Sequence, residues 1–383
     1  MNIINIPNQI RLCPCCLSQD FESLWSYEYD TKTLTKNWHF NIHNVICREC
    51  GFVFVSPAPD SQILLQYYED SFSTFTSQPL DYDYEKRLYV IKKYVGGNRG
   101  VFLELGANQK TKFHSELEKI YSNVYTVEPN LSSKNEFRSL EALADIQTDC
   151  VASYFVLEHI PDIAGFWMQS AKLLIENGFL ICEVPTIELY SKYLSPLIAF
   201  KHVNHFTIGT LANIANNYGF ELVYSSHEDC SRPYGFVAVF QKKKGLDFKF
   251  RSEYKENKLF FSKGMDLVTD FFLRIEKASE LITKAEKLNE LVIVYAANQT
   301  TRRLFPLLKE SKNVVVVDLD PRKENFFDYE IKVYQPNQLK DKFFLAEYII
   351  LCTERHAEAI LSSLKNDFNK IFKPENIMII DIL

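Results

Sequence analysis

The order of hydrophobic and polar positions divides the chain into regions of different periodicity. Residues 100–240 alternate short apolar runs with segments of helical period, and residues 291–383 begin a second alternation of the same kind. Strands that alternate with helices are typical of a parallel α/β sheet. Residues 61–95 and 245–290 instead carry mostly helical patterns. The pattern therefore predicts an α/β protein with two sheets and helical connections between them.

Individual elements can be placed within these regions. The predicted helices cover residues 62–68, 82–94, 165–174 and 275–288. The predicted strands of the first sheet are residues 101–106, 124–128, 149–155 and 179–185. Those of the second sheet are residues 291–295, 314–317, 348–351 and 377–380. Glycines at 96 and 97 end the helix before the first sheet, as glycine commonly does at a helix C-terminus.

Composition and charge narrow the class of protein. The chain has 383 residues, of which 46% are hydrophobic and 14% aromatic, as expected for packed globular domains. The net charge of -6 argues against a nucleic-acid or anionic-membrane partner, because there is no basic excess to displace counterions. No apolar run approaches the roughly 20 residues that span a bilayer, and no secretory signal is visible at the N-terminus. We therefore expect a cytoplasmic protein.

Two cysteine pairs stand near the N-terminus. Cys13 and Cys16 form one C-x-x-C motif, and Cys47 and Cys50 form the other. Two such turns supply the four thiolates of a tetrahedral Zn²⁺ site, and the ion would be structural because no position is left for water. The alternatives are a chance cluster of buried thiols and a disulfide framework. Cys15 is surplus to the spacing, and the remaining cysteines stand singly among apolar residues: Cys150, Cys182, Cys230 and Cys352.

Polar residues follow the predicted strands of the first sheet. The first strand ends at Gly106, and the second ends at Glu128. In nucleotide-binding α/β folds a glycine at this point lets the backbone approach the ligand, and an acid at the second strand tip accepts hydrogen bonds from ribose hydroxyls. Residues 149–155 form a third strand, which leads into the turn that carries Glu158 and His159. We expect ligands to bind at this edge of the sheet.

With these features in order, the sequence resembles the class I S-adenosylmethionine-dependent methyltransferases. The motifs are the strand ending at Gly106, the strand tip at Glu128, the sequence Leu-Glu-His-Ile-Pro-Asp at 157–162 and Asn-Gly-Phe-Leu-Ile-Cys-Glu-Val-Pro at 177–185. Taken with its flanking regions, the chain resembles the sugar C-methyltransferases more specifically. Those regions are the second cysteine pair with Gly51 and the prolines at 57 and 59, the tyrosines at 67–68 and 82–84, and residues 293–297 and 317–323.

The resemblance implies a fold and a division into domains. It implies an α/β chain with a central class I methyltransferase-like Rossmann domain, a small N-terminal zinc-binding module and a second, Rossmann-like domain at the C-terminus. The implied boundaries are 1–60 for the zinc module, 61–99 for a helical connector, 100–244 for the methyltransferase-like domain, 245–290 for bridging helices and 291–383 for the last domain. The implied cofactors are structural Zn²⁺ and S-adenosylmethionine, and the implied partner is a nucleotide-linked 4-keto-6-deoxy sugar.

The resemblance also assigns roles to single residues. Carbon methylation beside a ketone needs a base that removes the α-proton. The loop at 200–207 matches a histidine-bearing loop of the family, and His202 is the predicted base, with His205 orienting the substrate or stabilising the enolate. Glu183 is a further catalytic candidate. The candidate cofactor-binding residues are Glu104, Gly106, Glu128, Tyr154 and Glu158. The candidate substrate-binding residues are Tyr82, Tyr84 and His159.

Three departures from the family pattern keep other functions open. The loop after Gly106 has no second glycine, the interval between Glu128 and residue 149 is short enough to predict a truncated strand, and residues 296–298 replace a glycine-containing turn. Phe200 also stands where the family has its first histidine. The alternatives are a catalytically silent binding or scaffold protein with this fold, and an enzyme that methylates a sugar hydroxyl.

Overall fold

The computed structural model describes residues 3–5, 8–32, 36–72, 83–96, 99–107, 110–128, 137, 143, 146–245, 250–324, 326, 330–353 and 356–380. The chain divides into two compact units. The first consists of Met1–Tyr190 and Ala199–Ser262, and the second consists of Ser191–Ile198 and Lys263–Leu383.

The first unit begins with a small sheet that carries the cysteine pairs. Its strands are Ile3–Asn5 (β1), Phe21–Lys32 (β3), Asn37–Cys47 (β4), Val53–Val55 (β5) and Asn204–His205 (β11). β3 and β4 form a long antiparallel hairpin, β5 pairs with β4, and β11 adds to β5. A separate pair joins Asn8–Gln9 (β2) to Ala58–Pro59 (β6). The loop that holds the predicted base therefore contributes a two-residue strand to the cysteine-bearing sheet, and His202 lies just before that strand.

The central sheet of the first unit has six strands. They are Arg99–Leu105 (β7), Tyr121–Val127 (β8), Thr148–Tyr154 (β9), Leu174–Pro185 (β10), Phe220–Ser226 (β12) and Gly235–Lys242 (β13). Their order is β12-β13-β10-β9-β7-β8, and only β13 runs antiparallel to its neighbours. Each strand predicted for this sheet is confirmed. Since the parallel strands all end at one edge, Gly106 and Glu128 lie at that edge with the turn after β9.

Helices flank this sheet. Those of the first unit are Ser61–Phe72 (α1), Tyr84–Val90 (α2), Lys112–Leu117 (α3), Ile163–Leu173 (α4) and Ile208–Asn217 (α6). A π-helical turn, Ile91–Val95, continues α2. The side chains of Asp162 and Thr207 accept hydrogen bonds from backbone N–H groups of the first turns of α4 and α6, which satisfies donors that a helix start leaves unpaired.

The core of the first unit is continuous from the cysteine pairs to the central sheet. Trp167 on α4 is fully buried and packs against Phe220 and Phe240, with ring centroids 5.4 Å apart in each case. The same cluster includes Phe52 and Phe54 of the cysteine-bearing sheet. Because burying such aromatic side chains contributes about 1.5–3 kcal/mol each, the two sheets stabilise one another.

The second unit contains a five-stranded parallel sheet of order β16-β15-β14-β17-β18. Its strands are Leu291–Tyr295 (β14), Val314–Val317 (β15), Val333–Tyr334 (β16), Ala346–Leu351 (β17) and Ile377–Ile379 (β18). Its short helices are Ser195–Ile198 (α5), Gln299–Arg302 (α8), Phe305–Glu310 (α9), Lys340–Leu345 (α10) and Ala357–Phe368 (α11). The four strands predicted here are confirmed, and the sequence did not predict β16.

One long helix, Tyr254–Leu288 (α7), covers most of the stretch in which bridging helices were predicted. It is charged along much of its length, so it does not resemble a bilayer-spanning segment. Among the described residues, no helix is both long and apolar enough to cross a membrane.

Candidate active site and metal centre

The four predicted metal ligands come together in the first unit. The Sγ atoms of Cys13 and Cys50 are 3.4 Å apart, and those of Cys16 and Cys47 are 3.5 Å apart. All four sulfur atoms lie within 4.8 Å of one another. Zn–S bonds of about 2.3 Å in a tetrahedron place sulfurs about 3.8 Å apart. The cluster therefore fits a four-thiolate Zn²⁺ site, and none of the nine cysteines forms a disulfide.

The four thiols interact closely with one another. Hydrogen bonds from Cys13 and then Cys50 lower the pKa of Cys47, and a hydrogen bond from Cys13 lowers that of Cys16, while hydrogen bonds with the other three thiols raise the pKa of Cys13. A bound cation would hold all four as thiolates, the form that binds metal. Gly51 follows the second pair with φ 81°, and a side chain there would meet the backbone of residues 253–254 at 2.4 Å. The turn that carries Cys47 and Cys50 is thus packed directly against the start of α7.

The glycine at the tip of β7 is tightly enclosed. Gly106 has φ 80°, its N–H donates to the carbonyl of Val127 at 2.8 Å, and a Cβ at this position would lie 2.3 Å from a methyl of Val156. Only glycine adopts this backbone without strain. Gly106 therefore lies against the turn after β9, as the predicted cofactor loop requires. Two residues of that loop, Asn108 and Gln109, lie outside the described residues.

The segment that follows β8 lies mostly outside the described residues, so the truncated strand stays a prediction. Glu128 is partly exposed, and its N–H donates to the carbonyl of Phe137 at 3.1 Å. Phe137 also forms a single parallel bridge with Val127. Among the described residues, this bridge is all the pairing found beyond the outer edge of β8.

Two other candidate cofactor-binding residues, Glu104 and Tyr154, contact side chains of the protein itself. Glu104 is buried, and its Oε2 lies 2.9 Å from Nε2 of His114. Tyr154 is buried beneath the guanidinium of Arg87, which lies 3.9 Å from its ring centroid. Burial raises the pKa of Tyr154 well above its usual range, and its hydroxyl has no hydrogen-bond partner among the described residues. The Tyr154 hydroxyl is therefore a donor without an internal acceptor.

Glu183 is held by partners of its own unit. It is fully buried, its Oε2 accepts from Arg87 Nε at 3.0 Å and from Ser231 Oγ at 2.6 Å, and its Oε1 accepts from the N–H of Ser231 at 2.9 Å. Both carboxylate oxygens are therefore occupied by partners within the protein. This arrangement favours Glu183 as a residue that fixes Arg87 over the ring of Tyr154. The sequence analysis did not identify Arg87, whose partners are distant in sequence.

The loop of the predicted base is fixed on both sides. Phe200 stacks on Tyr29 with centroids 4.4 Å apart, inside the aromatic cluster of the cysteine-bearing sheet. The N–H of Val203 donates to the carbonyl of Glu158 at 2.7 Å, and Nδ2 of Asn204 donates to the carbonyl of Leu157 at 2.9 Å. The loop is thereby held between that sheet and the turn after β9.

His205 lies in the interior of the first unit. Its Nδ1 is 2.6 Å from the hydroxyl of Tyr190, and its Nε2 is 2.9 Å from Oδ1 of Asn44. Burial, with a smaller contribution from the charge of His202, lowers the pKa of His205 to about 3. Both ring nitrogens are engaged, so this geometry favours a positioning role over contact with a substrate.

His202, His159 and Glu158 form a second cluster. The rings of His159 and His202 meet edge to face with centroids 4.8 Å apart, and one ligand atom from each of the three residues lies within 4.8 Å of the others. Burial raises the pKa of Glu158 to about 8 and lowers the pKa of His159 well below its usual range. Burial also lowers the pKa of the adjacent Lys201 to about 8. Shifts of this kind in a cluster of ionisable side chains are typical of functional sites.

The substrate-binding candidates are less informative. Tyr84 begins α2 and is half-buried, with the ammonium of Lys112 5.3 Å from its ring centroid. Tyr82 lies outside the described residues. Asp318, at the tip of β15 in the second unit, accepts hydrogen bonds at 2.8 Å from the N–H groups of Ala297 and Asp320. Its carboxylate is thus satisfied by its own sheet.

Comparison with known proteins agrees with this architecture. A family model described as a methyltransferase domain matches residues 84–225. No curated protein matches the sequence. The chain is similar to a solved S-adenosylmethionine-dependent methyltransferase from Mesorhizobium loti, with 16% identity over 40% of this chain and 95% of that one and a TM-score of 0.32. It is also similar to one from Clostridium acetobutylicum, with 9% identity over 48% and 98% and a TM-score of 0.35.

These two solved structures are too distant to indicate what this chain acts on. The family match, however, spans the tips of β7, β8 and β9, where the structure places Gly106, Glu128 and the turn with Glu158. Residues 84–225 therefore match a methyltransferase domain.

Proposed function

We propose that this chain methylates the carbon next to the ketone of a nucleotide-linked keto-deoxysugar, with His202 as the base. The observation that carries the proposal is the cluster of His202, His159 and Glu158 at the ligand-binding edge of the central sheet. Val156, two residues before Glu158, packs against Gly106. A substrate held by the histidines would therefore lie beside the predicted cofactor loop.

The protein's own residues support proton abstraction at this place. His202 is partly exposed, unlike His205, so its imidazole can reach a substrate. The Nδ1 of His159 is 3.1 Å from the carbonyl of Lys201, and a carbonyl only accepts, so Nδ1 carries the proton. A neutral imidazole is a suitable base near pH 7. His202 would remove the proton α to the ketone, while His159 holds the sugar.

The enolate oxygen needs a positive partner. Lys201 follows Phe200 in the same loop, and its ammonium lies 5.2 Å from the ring centroid of Tyr67 in an apolar surrounding. With a pKa of about 8, it keeps most of its charge at pH 7. A preorganised cation in a site shielded from water stabilises a developing oxyanion strongly. We assign this role to Lys201, and to His205 the role of holding the loop.

S-adenosylmethionine supplies an electrophilic methyl group when it is bound. Gly106 leaves room for its backbone approach, and Glu128 is the predicted acceptor for its ribose hydroxyls. Each of these assignments follows from the resemblance of the chain to the sugar C-methyltransferases.

Exchange of the α-proton tests the proposal before any methyl is transferred. The purified protein is incubated in D₂O with a nucleotide-linked 4-keto-6-deoxy sugar, and deuterium in the sugar is measured by NMR. We expect exchange in the parent protein and none in His202→Asn, with S-adenosylhomocysteine affinity unchanged. His227→Gln is the matched control, because His227 also pairs with a glutamate, at 3.1 Å, but on the surface.

Other outcomes are equally informative. If exchange survives in His202→Asn and disappears in His205→Asn, the two histidines have the opposite roles. If the parent protein exchanges no 4-keto sugar, the C-methyltransferase proposal fails, and a catalytically silent protein or a hydroxyl methyltransferase takes its place.

A further inference from the structure

We propose that Glu158, His159 and His202 form a second metal site, separate from the four cysteines, that binds one exchangeable divalent ion of the Zn²⁺ or Co²⁺ type. Two imidazoles and one carboxylate are a ligand set that such ions accept, with positions left open for water or substrate. No cysteine takes part, so the ion would be held less firmly than the one at Cys13, Cys16, Cys47 and Cys50.

The arrangement of the ligand atoms supports such a site. One ligand atom of each residue lies within 4.8 Å of the other two, and Oε1 of Glu158 is 3.8 Å from Nε2 of His159. Metal–ligand bonds of about 2.0–2.1 Å in a tetrahedron place ligand atoms about 3.3 Å apart. The most distant pair must therefore close by at most about 1.5 Å, which rotation of the partly exposed His202 ring can supply.

The tautomer of His159 is the one that a metal ligand needs. Its Nδ1 donates to the carbonyl of Lys201, so the lone pair is on Nε2, the nitrogen that faces Glu158. Metal-bound histidines usually have their second nitrogen hydrogen-bonded to a carbonyl or carboxylate in this way, which fixes the ring. The backbone thus orients His159 in advance of any ion.

Glu158 supplies an independent reason. Its side chain is 2% exposed, and its Oε2 has no hydrogen-bond partner among the described residues. A buried carboxylate oxygen without a partner is costly, whereas a cation would satisfy it. Lys201 and Arg232 are the positive groups nearby, and their charge weakens cation binding. With a single carboxyl group in the site, we expect an ion that exchanges rather than one that stays bound through purification.

Such an ion would compete with catalysis. This consequence, unlike the site itself, rests on the proposed function, because the lone pair of His202 that binds the ion is the one that would take the α-proton. Bound metal and proton abstraction therefore exclude each other, and the ion would act as an inhibitor of the exchange reaction.

Cobalt titration of the zinc-loaded protein tests the site directly. With the four cysteines already occupied by Zn²⁺, Co²⁺ is added and the visible spectrum is recorded together with equilibrium dialysis. We expect one further equivalent of cobalt, with weak visible bands and none of the strong near-ultraviolet absorption of thiolate ligands. In Glu158→Gln and His202→Asn, cobalt affinity should fall on the order of tenfold or more, as for loss of a ligating group.

The control is His227→Gln, which removes a surface histidine paired with Glu188 and should leave cobalt binding unchanged. Glu158→Gln preserves the shape of the side chain, so it decides the question even if the histidine variant folds poorly. Less than one bound equivalent of cobalt in the zinc-loaded protein, or binding that survives in both site variants, overturns the proposal. The spectra are independent of turnover, so a protein that exchanges no keto sugar still confirms or refutes the metal site. Cobalt that binds without slowing exchange refutes the competition alone.

Discussion

The central sheet of the first unit and the sheet of the second unit have the same backbone arrangement at the edges where their parallel strands end. In the central sheet the N–H of Gly106 donates to the carbonyl of Val127, and in the other the N–H of Ala296 donates to the carbonyl of Val317, both at 2.8 Å. Both residues are left-handed, with φ 80° and 79°. Each sheet then places an acid after the neighbouring strand, Glu128 in one and Asp318 in the other.

The two edges differ in how their polar groups are satisfied. Asp318 is 7% exposed and accepts from two backbone N–H groups and from Lys323 at 3.1 Å. In the central sheet Glu128 stays partly exposed, and Tyr154 and Glu158 each have a buried oxygen with no hydrogen-bond partner in the part of the chain that the structure describes. A fold of this kind leaves polar groups unpaired where a ligand is to pair with them. The comparison indicates that the chemistry belongs to the central sheet.

The test with the largest expected effect removes the predicted metal site, which lies in the same core as the central sheet. Cys47→Ser takes one ligand from the predicted Zn²⁺ site, whose binding energy of about 10–16 kcal/mol is folding energy for such modules. We expect loss of bound zinc and faster amide exchange in β5 and β11, measured by mass spectrometry, with β14 as the internal reference. Cys15→Ser is the matched control and should keep its zinc. Less than about half an equivalent of zinc in the parent protein, at one ion per four-thiolate site, would refute the prediction.

The next largest effect is expected when Gly106 and Ala296, the two residues with a left-handed backbone, are each replaced by the residue type found at the other position. Gly106→Ala adds a Cβ 2.3 Å from Val156 and forces alanine into a left-handed backbone, so we expect a loss of about 2–4 kcal/mol in stability. Ala296→Gly relieves the same backbone strain without a clash and should stabilise its unit by about 1 kcal/mol. Urea unfolding measures both. If both substitutions change the free energy of unfolding by the same amount and in the same direction, the two turns are not constrained differently.

The acids at the strand tips give the third test. Glu128→Ala removes the predicted charged acceptor of the ribose hydroxyls, a contribution of about 1.5–3 kcal/mol, so affinity for S-adenosylmethionine should fall about tenfold or more. Asp318→Asn should leave that affinity unchanged, because Asp318 is satisfied by its own sheet. Calorimetry with S-adenosylhomocysteine measures both. An effect of Asp318→Asn as large as that of Glu128→Ala would contradict the contrast between the sheets.

The smallest expected effect concerns pH. The folded protein lowers the pKa of His205 from an ordinary value near 6.5 to about 3, so the unfolded chain takes up a proton first as the pH falls. This contribution to stability is complete above pH 6.5 and is lost on acidification. Between pH 7.5 and 5.5 the parent protein should lose about 1.4 kcal/mol that His205→Gln does not lose. Identical pH dependence of the two proteins in urea unfolding would show that His205 is accessible to protons in the fold.

Much of the architecture could be predicted from the sequence, because its signals are local. Strands such as β14 and β15 are short apolar runs between turn residues, and they match the prediction residue for residue. The C-x-x-C spacing likewise identified four sulfur atoms that the fold brings together. In both cases the information lies within a few residues of chain.

The parts that could not be predicted depend on contacts between distant segments. His205 carries no local sign that Asn44 and Tyr190 would occupy both of its nitrogens. The sequence places Glu183 at the end of a strand, and only the fold shows that Arg87 pairs with it. The sequence therefore predicted which residue types lie at this edge of the central sheet. Only the fold shows that His205 and Glu183 bind other residues of the protein there.

The strand β11 also bears on the order in which the protein can fold. Phe54 pairs with Asn204, so the cysteine-bearing sheet is completed by residues made 150 positions later. Such long-range pairing slows folding, because a large loop must close before the contact forms. Metal binding can fix the two cysteine turns early, which would give the nascent chain a preformed edge for the late strand. In this view the zinc module serves as a template during synthesis, and the histidine loop becomes ordered only when the methyltransferase domain is nearly complete.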